Sequence, residues 1–192
     1  WIIVMIDVTT NSARATTHAN RVMIAVSDSG TLTAGTVWTY YYFRQDLAPP
    51  SGDSGNFADY PTLGVDANAC YIGTDQFTLS GVYTNATVFV VRKSSILNGG
   101  PVVVTAFRGL LDGGSSGPGP ESPQGVDNLD GSVIDGYIGG TDPASYGTLA
   151  FRRNTHPGGT PRVSSKLFAP VPSPSPPNPG PRHLALRPAP TL

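Results

Sequence analysis

The chain has 192 residues, with 12 basic and 13 acidic side chains and a formal net charge of −1. That balance excludes the electrostatic footprint needed for nucleic acid or an anionic membrane surface. Charged residues make up only 13 %, about half the share usual in soluble domains, while Gly (23) and Pro (19) are plentiful, a mixture that favours short strands and turns over helices.

The opening run Trp1-Ile2-Ile3-Val4-Met5-Ile6 is apolar, too short to span a bilayer, and has no basic segment or cleavage site ahead of it. It predicts a strand over Trp1–Val8, and a strand at the first residue is expected to belong to something longer. Strands over Arg21–Ser27 and Val37–Phe43 complete a first unit. The last of these carries Trp38, Tyr40, Tyr41 and Tyr42, alternate members of which face opposite sides. A Gly/Ser/Pro-rich loop, Asp46–Asp59, leads to a second unit with strands over Pro61–Val65, Ala69–Thr74, Thr87–Lys93 and Val102–Arg108. Cys70, the only cysteine, excludes an intrachain disulfide and a cysteine-based zinc site, and its apolar strand makes it a small buried hydrophobe. A second such loop, Leu111–Ser122, precedes strands over Gln124–Asp127, Gly136–Thr141, Thr148–Arg153 and Pro161–Phe168. No window sustains helical periodicity, because Gly and Pro interrupt each candidate. From Ala169 onward prolines dominate, and residues 169–192 are expected to form an extended, disordered tail.

Units two and three repeat one another. Pro61-Thr62-Leu63-Gly64-Val65-Asp66 and Tyr71-Ile72-Gly73-Thr74-Asp75 return as Pro123-Gln124-Gly125-Val126-Asp127 and Tyr137-Ile138-Gly139-Gly140-Thr141-Asp142. Tyr71 and Tyr137 stand 66 residues apart, and Val91-Arg92-Lys93 has its counterpart in Phe151-Arg152-Arg153. Short strands and turns at such a period predict stacked β units, each burying a face on its neighbour. Four antiparallel strands per unit lead to an all-β fold of β-propeller blades at about 1–60, 61–121 and 122–168. The long loops would lie at the channel mouth, and two open blade edges would invite self-association.

The segments Ala58-Asp59-Tyr60-Pro61-Thr62-Leu63-Gly64-Val65-Asp66, Tyr71-Ile72-Gly73 and Thr87-Val88-Phe89-Val90-Val91-Arg92-Lys93 resemble the blades of secreted bacterial sialidase-like β-propeller proteins. The resemblance covers residues 1 to 168 and implies blade architecture and a secreted or cell-surface setting, with no single activity. The Asp-box turn of sialidases is degenerate here, at Ser27-Asp28-Ser29-Gly30-Thr31, and no sialidase catalysis is carried over. Arg92, Arg108, Arg152 and Arg153 fit solvated strand ends as well as any anion site.

Residues that could carry chemistry are few. Gly113-Gly114-Ser115-Ser116-Gly117 matches a nucleophile elbow literally, but its Pro/Gly flanks allow no following helix. The histidines His18, His156 and His183 show no metal-ligand spacing, and His156 in its turn is the candidate general base. Asp66 and Asn68, with Asp127, Asn128 and Asp130 in the next unit, follow corresponding strands. They could converge as hard oxygen ligands for Ca2+, although Asp and Asn are also ordinary turn residues. Three functions follow as expectations. One is a surface module that binds a small molecule or glycan through its loops and aromatics. Another is a calcium-dependent hydrolase of an ester, lactone or glycoside. The third is a purely structural piece of a longer propeller.

Overall fold

The computed structural model describes residues 1–7, 19–145 and 147–172. His18, His183 and the proline-rich stretch beyond Pro172 lie outside the described residues. Largely apolar and aromatic runs, along which burial alternates residue by residue, form β1 (Ile2–Asp7), β2 (Arg21–Ser27) and β3 (Trp38–Arg44), an antiparallel first sheet in that order. Val22, Ile24 and Val26 are buried on one face, while Met23 and Ala25 stand on the other.

The central sheet runs β4 (Asn56–Val65), β5 (Ala69–Thr78), β6 (Tyr83–Arg92) and β7 (Val104–Phe107), with a one-turn helix, α1 (Lys93–Leu97), before β7. It is covered on both faces, so β5 and β6 read as nearly continuous buried runs. Cys70, Ile72, Phe89 and Val91 meet Val22, Ile24 and Val26 of the first sheet, and the Phe43 ring stands edge-on to Phe89 at 5.1 Å. Ala69, Tyr71, Val88 and Val90 point the opposite way, toward Ile138, Leu110 and Leu111. The third sheet is built from β8 (Glu121–Gly125), β9 (Gly136–Thr141) and β10 (Thr148–Thr155). Two short strands, β11 (Arg162–Val163) and β12 (Leu167–Pro170), share the far edge of β10.

The repeated glycines are where the central and third sheets touch. A Cβ at Gly64 would stand 2.2 Å from the Gly125 carbonyl carbon, and one at Gly125 would stand 2.5 Å from Tyr71 Cβ. The repeat therefore does report stacked units. It does not report propeller blades, and here the expected fold is corrected. The sheets have three, four and five strands, and the first lacks the Gly-Val-Asp strand altogether. They form an open, curled arrangement rather than a closed ring of like four-stranded blades around a channel. All-β composition stands; the propeller does not.

The Asp46–Asp59 loop is also not a channel-mouth loop. Its last residues belong to β4, which is irregular between Asp59 and Thr62. The rest folds back against Arg108, whose guanidinium donates to the Asp53 carboxylate (2.6 Å) and to the carbonyls of Gln45 (2.7 Å), Ala48 and Pro50 (3.0 Å each).

Candidate functional site

Five candidate ligand residues do come to one rim, where the β4–β5 turn meets the β8–β9 loop. Their oxygens, however, hold the chain. Asp66 is buried, and one carboxylate oxygen accepts from the backbone N–H of Asn68 and Ala69, at 2.7 and 2.8 Å. The other accepts from the Tyr71 hydroxyl at 2.5 Å. Burial first, and this bond second, push the Tyr71 hydroxyl far up from its usual range, so it remains a neutral donor. Asp127 accepts from Val65 N–H at 2.7 Å, tying the third sheet to the central one. Asn68 donates to the Val133 carbonyl, and Asn128 accepts from Asp130 N–H. Asp130 accepts from the N–H and hydroxyl of Ser132, which hold its carboxyl below the usual carboxylate range. The bonds from the N–H groups of Asn68, Ala69, Asp130 and Ser132 are Asx-type turn bonds that satisfy backbone donors locally. An open hollow of about 600 Å3 borders the rim, lined by Trp1, Val65, Asp66, Lys93, Asp127 and Leu129. The Lys93 ammonium donates to the Asp66 carbonyl at 2.7 Å, so it too is engaged in holding the turn. Among the described residues, no group of three or more His, Cys, Asp or Glu is placed to hold a metal ion.

Ser115 and His156 are not brought together. The loop before Ser115 is anchored at Asn85, which donates to the Leu111 carbonyl and accepts from Leu111 N–H. The turn of His156 sits at the other end of β6, where Arg92 donates to the Gly159 carbonyl. Asn85 and Arg92 stand seven positions apart along β6, a span of roughly 23 Å. His156 is exposed and adopts a left-handed φ of 57°, as a turn residue does, while Ser115 is exposed with no helix behind it. Cys70 is free and buried, and burial pushes its thiol up to about 12, which removes it as a nucleophile.

At the junction of β5 and β8 the carboxylate of Asp75 accepts from Ser122 N–H (3.2 Å) and Ser122 Oγ (2.7 Å). Asp59 lies directly opposite in the ladder. Burial raises the Asp75 carboxyl above the ordinary carboxylate range, the Ser122 bonds oppose the rise, and Asp59 adds to it. The folded chain then keeps this proton over a pH window in which the unfolded chain has lost it. The associated stabilisation is complete below about pH 4, the unfolded value, and is lost as pH rises through the folded value. Asp75→Asn keeps an acceptor for Ser122 N–H and removes the buried charge. Thermal midpoints measured across pH should then fall less steeply above about pH 4, with stability at neutral pH equal to wild type or higher. A lower neutral midpoint would show that the ionised carboxylate is required.

Two arginines that sequence reasoning left at solvated strand ends are interior. Arg108 pins the 45–53 loop, as above. Arg152 donates to the carbonyls of Ser164 and Leu110, and burial lowers its guanidinium from the usual value. Their signal was available in the composition, since a chain with so few charges has little surface use for each one.

The outer face of the first sheet is different in kind. Ile3 and Met5 on β1, Met23 and Ala25 on β2, and Trp38, Tyr40 and Tyr42 on β3 all point away from the core. Tyr40 is 75 % exposed, Tyr42 62 %, Met5 58 % and Ile3 47 %. Arg21 lies over the Tyr42 ring at 5.0 Å and 3.7 Å from Asp7, while Arg44 forms a two-bond pair with Asp46.

Comparison with protein-family models, with curated proteins and with solved structures returns no match. The sialidase-like resemblance therefore has no structural counterpart. The readings built on a propeller mouth fall with it: glycan capture by the loops, calcium-dependent hydrolysis, and a structural blade fragment. Among the described residues, fold and surface define an all-β layered domain whose first sheet carries an apolar outer face. No helix among the described residues is long and apolar enough to cross a membrane.

Proposed function

We propose that this chain is an association module whose working surface is the outer face of the first sheet, docking an apolar protein surface. One observation carries the reading: seven apolar or aromatic side chains share the outer face of the first sheet, whereas the central strands β5 and β6 are buried on both faces. Isolated exposed apolar residues need no explanation, but a contiguous face of them is the ordinary mark of a protein contact. Aromatic and Met residues with arginines at the margin match the composition of interface centres. The charges on the face are paired within the chain, which lowers the cost of desolvating it.

The test is binding of an apolar fluorescent dye to the intact chain and to a Tyr40→Glu/Tyr42→Glu variant with unchanged circular dichroism. The wild type should enhance the dye, and the variant should lose most of that signal. A folded wild type that leaves the dye dark, or a variant that binds it equally, would remove this face from consideration.

A further inference from the structure

Resting on that reading, we propose that the occupant of this face is a second copy of the chain, packed sheet to sheet about a two-fold axis parallel to β2. The ladder arranges the face in rows: Ile3, Ala25, Tyr40; then Met5, Met23, Tyr42; then Asp7, Arg21, Arg44. Read across the sheet, β1 is an aliphatic strip, β2 a column of Ala and Met, and β3 an aromatic ridge. A two-fold axis along β2 lays the β1 strip of each copy against the β3 ridge of the other. Ile3 then meets Tyr40 of the second copy, and Met5 meets its Tyr42, a sulfur–aromatic contact. Met23 and Ala25 face their own counterparts, where a flexible and a small side chain give the ridges room.

The same operation places Asp7 opposite Arg44 of the second copy, twice over, so the charged end of the face is complementary to itself. Arg21 opposes Arg21 there, but each is already held by Asp7 and the Tyr42 ring of its own chain. A two-fold axis across the strands would instead set ridge on ridge and leave the β1 strips apart. The aligned arrangement, with the ~30° offset that sheet twist imposes, is the one that fills space.

The area sets the strength. Three strands of this length cover about 14 by 20 Å, a few hundred Å2 per copy, against the ~800 Å2 per partner of a stable complex. The dimer is therefore weak and concentration-dependent.

Sedimentation velocity on the full chain, from low micromolar to near-millimolar concentration, tests this. The wild type should shift from monomer to dimer, and Tyr40→Glu/Tyr42→Glu should abolish the shift. Asp7→Arg and Arg44→Asp should each weaken association by about tenfold, and combining the two should restore it, a rescue that general destabilisation cannot produce. Singles that weaken association without rescue in the double would overturn the axis proposed. A dimer untouched by the Tyr variants would overturn this face as the self-contact. A wild type monomeric throughout, yet binding the dye through Tyr40 and Tyr42, would overturn the second copy while leaving the docking-face reading intact. Neither dimer nor dye binding would end both.

Discussion

Arg108→Met is expected to destabilise the domain by about 3–4 kcal/mol, within the range for removing one partner of a largely buried ion pair. The methionine preserves the aliphatic stem and its contact with the Phe89 ring, over which the guanidinium now sits at 5.7 Å. What it removes is the set of donors. The Asp53 carboxylate loses a 2.6 Å charged bond and keeps only the Thr87 hydroxyl at 2.9 Å. The carbonyls of Gln45, Ala48 and Pro50 lose their donor in a region where water enters poorly. Arg108 and Asp53 side chains are 13 % and 20 % exposed, so solvent screening recovers only part of the loss. Residues 45–56 also carry Pro49, whose carbonyl accepts from Ala106 N–H on β7 at 2.7 Å, so loosening the loop uncovers the β7 side of the central sheet. Urea unfolding of wild type, Arg108→Met and Asp53→Asn would measure this. An Arg108→Met cost below about 1 kcal/mol, the value of an exposed pair, would show that the loop is held by packing and the guanidinium is ornamental.

Much of the fold was legible because its signals are local. β2, β5 and β9 begin where alternation and turn residues place them, and the Gly64/Gly125 repeat correctly announced that like units pack face to face. Closure is not a local property. The same Gly-Val-Asp strands serve an open stack and a ring equally well, because both need the glycine only where two backbones touch. β4 was misread at its start, since the irregularity between Asp59 and Thr62 breaks the period-two pattern over residues 56–60, with Tyr60 at a left-handed φ of 53°. The role of the acidic residues was not legible, for a physical reason as well. Asp66, Asn68, Asp127, Asn128 and Asp130 do gather at one rim, but an Asp that caps a turn and an Asp that binds calcium look identical in sequence. Only the donors they face distinguish them. The apolar outer face was visible as alternate exposed members of Tyr40–Phe43, yet sequence alone could not say which alternate members face out. Burial of Val22, Ile24 and Val26 settles the phase of β2, and the ladder carries it to β1 and β3.

The second large effect is expected at the sheet contact. Gly73→Ala should cost about 3 kcal/mol or more, the upper end for forcing extra atoms into packed interiors. A Cβ there would stand 1.7 Å from the Pro123 carbonyl oxygen and 2.7 Å from Thr62 Oγ1, and the Thr62 hydroxyl itself donates to that same oxygen at 2.6 Å. Because the nearest atom belongs to the backbone of β8, no side chain can rotate out of the way. The third sheet has to move off the central one, and the Asp127 bond to Val65 N–H and the Asp75 bonds to Ser122 lie on the seam that would open. Gly64→Ala meets the Gly125 backbone in the same manner and should behave alike. Gly30→Ala is the matched control, since a Cβ there has nothing within 4 Å. It should leave stability unchanged or raise it by up to about 1 kcal/mol through the unfolded state. Thermal unfolding would rank the three, and amide hydrogen exchange would locate the damage. Gly73→Ala should expose β8 and β9 amides while β2 remains protected. If all three alanines prove equally mild, the two sheets do not touch at these glycines, and the stacking of repeat on repeat would have to rest on the Tyr71–Ile138 side-chain core alone.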